Sequence, residues 1–270
     1  MNETLMQRND PVTRSPADIY DEQFVPALFR PWGPVLCDAA RIGPGQRVLD
    51  VGCGTGALTL TVADRVAPGG TALGLDPNPD MLAVARRKRG DIEWRDGRAE
   101  ALPFADASFD ATVSQFAMMF FDDGVAALRE AQRVLRPGGR IAFAVCDAVE
   151  HSPGYAALAG LLERLFGKSV ADAFRAPFAL GDAARLRALC ADAGLTDAQV
   201  AQHDGTVRFA SIDALVSTER ACVWTLGGLL DDAQFGQLLR EAQGALKPFV
   251  AADGKVVFSM PALLITSCKR

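Results

Sequence analysis

Residues 48 to 59, Val-Leu-Asp-Val-Gly-Cys-Gly-Thr-Gly-Ala-Leu-Thr, combine an apolar run, a lone carboxylate and three alternating glycines. The run Arg47 to Val51 has the apolar, β-branched character of a strand buried on both faces of a parallel sheet. Gly52, Gly54 and Gly56 remove the Cβ atoms that would keep a ligand from the backbone. Twenty residues past Gly56, a second apolar run, Thr71 to Leu75, ends in Asp76. A carboxylate at such a strand tip can accept both hydroxyls of a ribose. The same Asp76 also suits the N-cap of a helix beginning near Pro79, and the two roles are compatible in part. The spacing is Gly-x-Gly-x-Gly, not the Gly-x-Gly-x-x-Gly of dinucleotide folds, and Asp50 precedes it. A carboxylate there would repel a pyrophosphate but attract a cationic or amine-bearing ligand.

The elements that must hold these residues alternate between strand and helix from residue 42 to 145, which predicts a parallel, doubly wound sheet. Strands are expected at 47–51, 71–76, 92–95, 109–114 and 140–145. Helices are expected at about 57–67, 79–89 and 123–135, the last stopped by Arg136-Pro137-Gly138-Gly139. After residue 147 the rhythm breaks. Helical periodicity at about 155–167, 211–229 and 231–247 reads as a cap, while a helix at 182–193 and strands near 196–203 and 262–268 complete the sheet; a further strand-like piece lies at 206–209. The expected organisation is therefore an N-terminal helical lid over 1–40, a ligand-binding core over 41–148, a cap over 149–181 and 206–255, and completion of the sheet by 182–205 and 256–270.

Of 270 residues, 49% are hydrophobic and 23% charged, enough for one large domain or a core with a cap. The net charge of −5 argues against a nucleic-acid partner, which would want a basic face. The run Arg86-Arg87-Lys88-Arg89 reads instead as the polar C-terminal end of a helix. Six cysteines without Cys-x-x-Cys spacing or a nearby His pair point to neither a metal site nor disulfides, and read as small buried hydrophobes of a reducing compartment. With no apolar N-terminal segment and no apolar stretch of about 18 residues, a cytoplasmic protein without membrane insertion is expected.

The glycine turn, with Leu102-Pro103-Phe104, Ser108-Phe109-Asp110, Ser114-Gln115-Phe116, Met118-Met119-Phe120-Phe121-Asp122-Asp123 and Arg133-Val134-Leu135-Arg136-Pro137-Gly138-Gly139, resembles the class I S-adenosylmethionine-dependent methyltransferases, in particular the type 11 group that includes ubiquinone and menaquinone biosynthesis enzymes. The resemblance spans about residues 15 to 148. It implies an α/β, Rossmann-like, doubly wound, seven-stranded, mostly parallel sheet with helices on both faces, an antiparallel last strand and a helical cap insertion. It also implies S-adenosylmethionine as cofactor and S-adenosylhomocysteine as product; the large second-half insertion and the Phe and Met population suggest an apolar pocket for a small-molecule methyl acceptor, aromatic, quinone-like, lipid-like or a secondary metabolite, methylated on O, N or C, and a homodimer is allowed. By the same resemblance Gly52, Cys53, Gly54 and Gly56 would approach the amino-acid end of the cofactor and Asp50 would orient its ammonium. Asp76 would take the ribose hydroxyls, Pro77 and Met81 would pack on sugar and adenine, Gln115 would hold the methionine portion and Phe116 would wall the methyl. Ser114 shares that strand end, and Tyr20 is a lid candidate.

One position departs from the family. Gly97-Arg98-Ala99 stands where Gly-Asp-Ala is usual, and arginine has no acceptor for the adenine amine. Either Asp96 takes that role, or Arg98 stacks on the adenine while the Ala99 amide reads the ring; the second is preferred because a one-residue slip would misplace Gly97. Catalytic residues can be few, because methyl transfer from a sulfonium needs positioning more than a protein nucleophile. If a base is needed, His151 and, more weakly, Asp122 are the candidates. A non-catalytic cofactor-binding regulator or partner subunit, and a protein or RNA methyltransferase, are the other readings.

Overall fold

The structure, a computed structural model, describes residues 14–222 and 225–270. The first thirteen residues of the expected lid, and residues 223–224 of the expected 211–229 helix, lie outside the described residues. In chain order the elements are α1 (Pro16–Ile19), a π-helical segment (Tyr20–Phe29), α2 (Trp32–Ala39), β1 (Arg47–Val51), α3 (Ala57–Val66), β2 (Thr71–Asp76), α4 (Pro79–Lys88), β3 (Glu93–Asp96), β4 (Phe109–Gln115), α5 (Gly124–Arg133), β5 (Leu135–Cys146), α6 (Pro153–Phe166), α7 (Lys168–Arg175), α8 (Ala183–Asp192), β6 (Gln199–His203), β7 (Thr206–Phe209), α9 (Ile212–Ala221), α10 (Asp232–Ala245), β8 (Val256–Ser259) and β9 (Ala262–Cys268).

Seven strands form one sheet in the order β3-β2-β1-β4-β5-β9-β6. All neighbouring pairs are parallel except those made by β9, which runs against both β5 and β6. The order reverses between β1 and β4, so the helices that follow these strands leave in opposite directions and open a crevice at the strand ends. Both faces of β1 are covered: Val48, Leu49 and Val51 are all buried. Short polar side chains start the helices by accepting the otherwise orphaned first-turn amides, Asn78 for α4, Asp123 for α5, Asp182 for α8 and Ser211 for α9.

Three boundaries depart from the sequence reading. The Arg136-Pro137-Gly138-Gly139 stretch does end α5, but it lies inside β5 as an irregularity, with Leu135 opposite Phe109 and Arg140 opposite Ala111. Gly138 takes a φ of +81°, which lets the strand absorb the extra residues. Residues 256–259, expected in the main sheet, pair instead with β7 in a separate two-stranded ribbon. The helix expected over 211–229 stops at Ala221.

Trp94 on β3 shows why glycines are needed around the first turn. A Cβ on Gly56 would come within 2.5 Å of the Trp94 ring, and one on Gly74 within 2.6 Å. Gly56 also has a φ of +83°, the left-handed region. Its substitution therefore combines backbone strain with overpacking, and Gly56→Ala is expected to destabilise the fold by about 2–4 kcal/mol in denaturant titration. Trimming the indole in a Gly56→Ala, Trp94→Phe double variant should recover part of that loss, since it removes the clash and leaves the strain.

Candidate active site

The carboxyl ends of β1, β2 and β4 open into a cavity of about 540 Å³ closed above by the π-helical segment, α6, α7 and the end of α9. Asp50, the fourth residue of β1, is 1% exposed. Its Oδ2 accepts the Thr59 hydroxyl at 2.6 Å, while Oδ1 has no partner. Burial, with a smaller contribution from the Asp76 charge, pushes its carboxyl up to about 7 against the pull of Thr59. Asp76, at the tip of β2, accepts the Gly54 amide on Oδ2 and the Asn78 amide on Oδ1, each at 2.8 Å. These two bonds tie the glycine turn to the start of α4, while burial raises the Asp76 carboxyl. The N-cap of α4 is thus Asn78, and Asp76 acts one step earlier as a clamp.

The three glycines differ in what they do. The amides of Gly52 and Cys53 donate to the Leu75 carbonyl at 2.8 and 3.0 Å, and Gly54 donates to Asp76, so these amides are spent on holding the turn against β2. A Cβ at Gly52 would meet Ala117 at 2.4 Å. Only at Gly54 does the missing Cβ face open space. The turn accordingly offers a ligand close backbone approach at Gly54 and the free oxygen of Asp50 beside it.

Of the residues singled out in the sequence, the structure brings Tyr20, Asp50, Gly52, Cys53, Gly54, Asp76, Pro77, Met81, Gln115 and Phe116 to the cavity wall. Phe116 holds a φ of +53°, a strained backbone for an aromatic residue, and packs between Phe29 and Trp32. Ser114 is not at the wall; its hydroxyl donates to the Val51 carbonyl at 2.7 Å and joins β4 to β1. Gly56 packs on Trp94, Gly97 lies against Leu75, and Ala99 is in the core on the far side of the sheet. Arg98 is not placed for stacking: its guanidinium is paired with Asp122 and faces Glu100 at the surface. Asp122 is occupied by that pair, and His151 sits half exposed with Nδ1 3.0 Å from Asp147, so neither candidate base lines the cavity.

The wall also contains two groups absent from the sequence reading. Glu219 of α9 and Tyr155 of α6 are 1% and 3% exposed and adjoin one another, yet Glu219 Oε2 and the Tyr155 hydroxyl make no hydrogen bond. Burial pushes the Glu219 carboxyl up to about 7, against the pull of the nearby Thr225 and Tyr155 hydroxyls. The signal was the apolar stripe of α9: Ile212, Leu215 and Val216 are buried, and Glu219 takes the next inward position at helical spacing. Among the described residues, seven buried side-chain polar atoms lack a partner, and five of them (on Asp50, Thr55, Gln115, Tyr155 and Glu219) belong to residues of this one wall. Buried polar groups are normally satisfied, so their concentration here marks a surface built to be completed by a ligand. The described wall holds three carboxylates and no Lys, Arg or His, which fits a ligand carrying positive charge.

Fold, glycine turn and strand-end carboxylates are those of a Rossmann-like nucleotide-binding domain, and the comparisons say which kind it is similar to. Residues 49–143 match the family described as Methyltransferase domain. A demethylmenaquinone methyltransferase of Renibacterium salmoninarum is 43% identical over 127 residues, 47% of this chain and 52% of that protein. A ubiquinone/menaquinone biosynthesis C-methyltransferase of Hahella chejuensis is 38% identical over 130 residues, 46% of this chain and 52% of that protein. The chain thus spans about half the length of the curated relatives it matches. Among solved structures, a putative methyltransferase from an antibiotic biosynthesis pathway of Anabaena variabilis superposes with a TM-score of 0.64 over 87% of this chain and 95% of that one, at 15% identity, a likeness of fold alone. The match over residues 49–143 implies S-adenosylmethionine as cofactor and names no acceptor.

Two outcomes test this geometry. Asp50 and Glu219 keep their protons in the folded chain to about pH 7, whereas an unfolded carboxyl loses its proton near pH 4. Between those values the unfolded state releases protons that the folded state retains, so the unfolding free energy of the ligand-free protein should fall as pH rises from 4 to 7. Asp50→Asn should flatten that decline in urea titrations across the range. Because Arg98 pairs at the surface, Arg98→Ala should change S-adenosylhomocysteine affinity by less than about threefold in calorimetry, within the small worth of an exposed ion pair.

Proposed function

We propose that this protein transfers a methyl group from S-adenosylmethionine to a small-molecule acceptor held in the same cavity. The observation that carries the reading is Asp50, a fully buried carboxylate with one unpartnered oxygen, which shares with Gly54 a wall whose described residues include no basic side chain. Such a carboxylate suits the ammonium of the cofactor, and Asp76 has lone pairs left for ribose hydroxyls after its two backbone bonds. Pro77 and Met81 supply apolar surface on the same side, and the Gln115 Oε1 is a further unpartnered acceptor. When bound, S-adenosylmethionine supplies an electrophilic methyl on a cationic sulfonium. The chain's part is to bind and align the reactants and to keep water away, with Phe116 and the lid aromatics as the wall.

A quinone-like or other aromatic acceptor is favoured by the names of the curated relatives and by the population of Phe, Met and Tyr around the cavity. The enclosure by α6, α7 and α9 and the acidic balance of the chain disfavour a protein or RNA substrate. The regulator reading predicts cofactor binding without turnover, and the partnerless pair at the far wall speaks for turnover.

Isothermal calorimetry with S-adenosylmethionine, S-adenosylhomocysteine and NADH tests the cofactor. The first two should bind and NADH should not; the opposite pattern sinks the reading. At pH 6, binding should release up to about one proton, seen as a dependence of the heat on buffer ionisation enthalpy, because the incoming cation favours the charged form of Asp50. Asp50→Asn should remove that release and weaken binding by at least about tenfold, the worth of a charge-assisted hydrogen bond. An acceptor screen that follows S-adenosylhomocysteine formation then separates enzyme from regulator.

A further inference from the structure

The far wall of the cavity is built differently from the side beneath Asp50. It is formed by Tyr155 on α6, Phe174 on α7, Phe178 just after α7, and Glu219 on α9, all outside the segment that matches the methyltransferase family. The Tyr155 ring is the centre of an aromatic box, 5.9 Å from Phe174, 5.7 Å from Phe178 and 5.1 Å from Phe258, the last edge to face. Into this apolar setting project two polar atoms with no partner, Tyr155 Oη and Glu219 Oε2. A carboxyl held in a fully buried position with an oxygen left unpartnered is destabilising. A position on the stripe of α9 that Leu or Met would fill more stably is therefore carrying a function other than packing.

Resting on the proposed cofactor, we propose that Glu219 and Tyr155 are the acceptor-binding end of this cavity, and that Glu219 accepts the hydroxyl proton of an uncharged, hydroxylated aromatic acceptor as its oxygen is methylated. The hydroxyl donates to Glu219 Oε2, and the ring lies in the box around Tyr155. In the step the acceptor O–C bond forms and the sulfonium S–C bond breaks, with the sulfur keeping the electron pair. The O–H proton passes to the carboxylate. Carboxylate and sulfonium begin as −1 and +1 and both end neutral, so no charge is stranded in a dry cavity.

The chemistry of the wall selects this acceptor class. An anionic acceptor would meet Asp50, Asp76 and Glu219 with no described cation in the wall to offset them. A protonated amine would bring a second cation into the cavity of the sulfonium and would have to lose a proton before attack. A neutral phenol meets neither obstacle, and it supplies the donor that the orphaned oxygen lacks. Of the described titratable groups, Tyr155 and Cys146 of β5 face Glu219, with the Thr225 hydroxyl also close, and Cys222 just after α9 adjoins Tyr155. Burial raises the Cys146 thiol and the Tyr155 phenol, so neither is charged near neutral pH, and Glu219 is the one of these three poised to exchange a proton there.

The experiment uses the whole chain loaded with S-adenosylhomocysteine at pH 8, and a panel of neutral naphthols and alkylphenols with 1-naphthoate as the anionic control. The wild type should bind at least one neutral phenol, and naphthoate at least about tenfold more weakly. Glu219→Gln, which keeps the shape and removes the buried charge, should melt at the same or a higher temperature, keep S-adenosylhomocysteine affinity within about threefold and lose about tenfold or more of the phenol affinity. With S-adenosylmethionine, wild-type turnover of the bound phenol should rise through about pH 7, whereas Glu219→Gln should be slower by about a hundredfold and lose that rise. Tyr155→Phe should weaken phenol binding by a few-fold and retain the pH profile. Absence of phenol binding by the wild type, naphthoate binding as tight as naphthol, or unchanged phenol affinity and turnover in Glu219→Gln would each overturn the proposal. Failure of S-adenosylmethionine to bind the wild type would overturn the cofactor reading instead, and phenol affinity of the unloaded chain would still judge Glu219.

Discussion

Carboxyl groups buried in a wall whose described residues include no basic partner are the constraint around which this molecule is arranged. Parallel pairing sets β1 and β2 side by side with their carboxyl ends together, Val51 opposite Leu75, so Asp50 and Asp76 emerge into the same space. Two carboxylates in a low-dielectric pocket repel and each loses hydration. Asp76 is held by two backbone amides, whereas Asp50 has one hydroxyl and a rising affinity for a proton. A cation in the cavity relieves both costs at once, which is why a sulfonium- and ammonium-bearing cofactor suits this site and a pyrophosphate does not.

The rest of the structure covers the strand ends with a fastened lid and places no described basic side chain in the wall. The lid is fastened from its outer side: Lys88 donates to Asp21 at 2.6 Å and to the Thr55 carbonyl at 3.0 Å, and Arg87 pairs with Asp18. Two of the four basic residues at the end of α4 are thus spent on the lid, Arg86 donates to the Trp94 carbonyl and Arg89 pairs with Asp91, and none of the four is among the described residues of the cavity wall. On the inner side Tyr20 stacks on Phe29, which packs on Phe116, which meets Trp32 edge to face. The Thr218 hydroxyl at 2.5 Å from Gln23 couples α9 to the same segment, so the helix that carries Glu219 and the lid that carries Tyr20 share a support.

The core was legible because its signals are local. A buried parallel strand followed by alternating glycines has few other uses, and the strand ends found at Val51, Asp76 and Gln115 lie close to where alternation of apolar runs and breakers puts them. The roles inside the turn were less legible. Gly52, Gly54 and Gly56 look alike in one dimension, yet two of them make room for Ala117 and Trp94, and at Gly54 nothing lies within 4 Å of where a Cβ would stand. Arg98 read as an adenine contact because its neighbours match a family pattern; its partners Asp122 and Glu100 come from a loop 24 residues away and from the next turn, and pair formation turned it outward.

What the sequence determined by itself is the ligand-binding half: apolar strands of parallel type, a glycine turn, and carboxylates at fixed distances along the chain from it. Those features depend on neighbours in sequence, and backbone geometry carries them into three dimensions unaided. The wall made by Tyr155 and Glu219 was decided only by tertiary structure. Tyr155 and Glu219 are 64 residues apart and lie on helices whose amphipathic patterns look ordinary. Packing of α6 and α9 over the strand ends brings the two side chains together and denies them water, and that denial turns a plain glutamate into a group poised to take a proton near neutral pH.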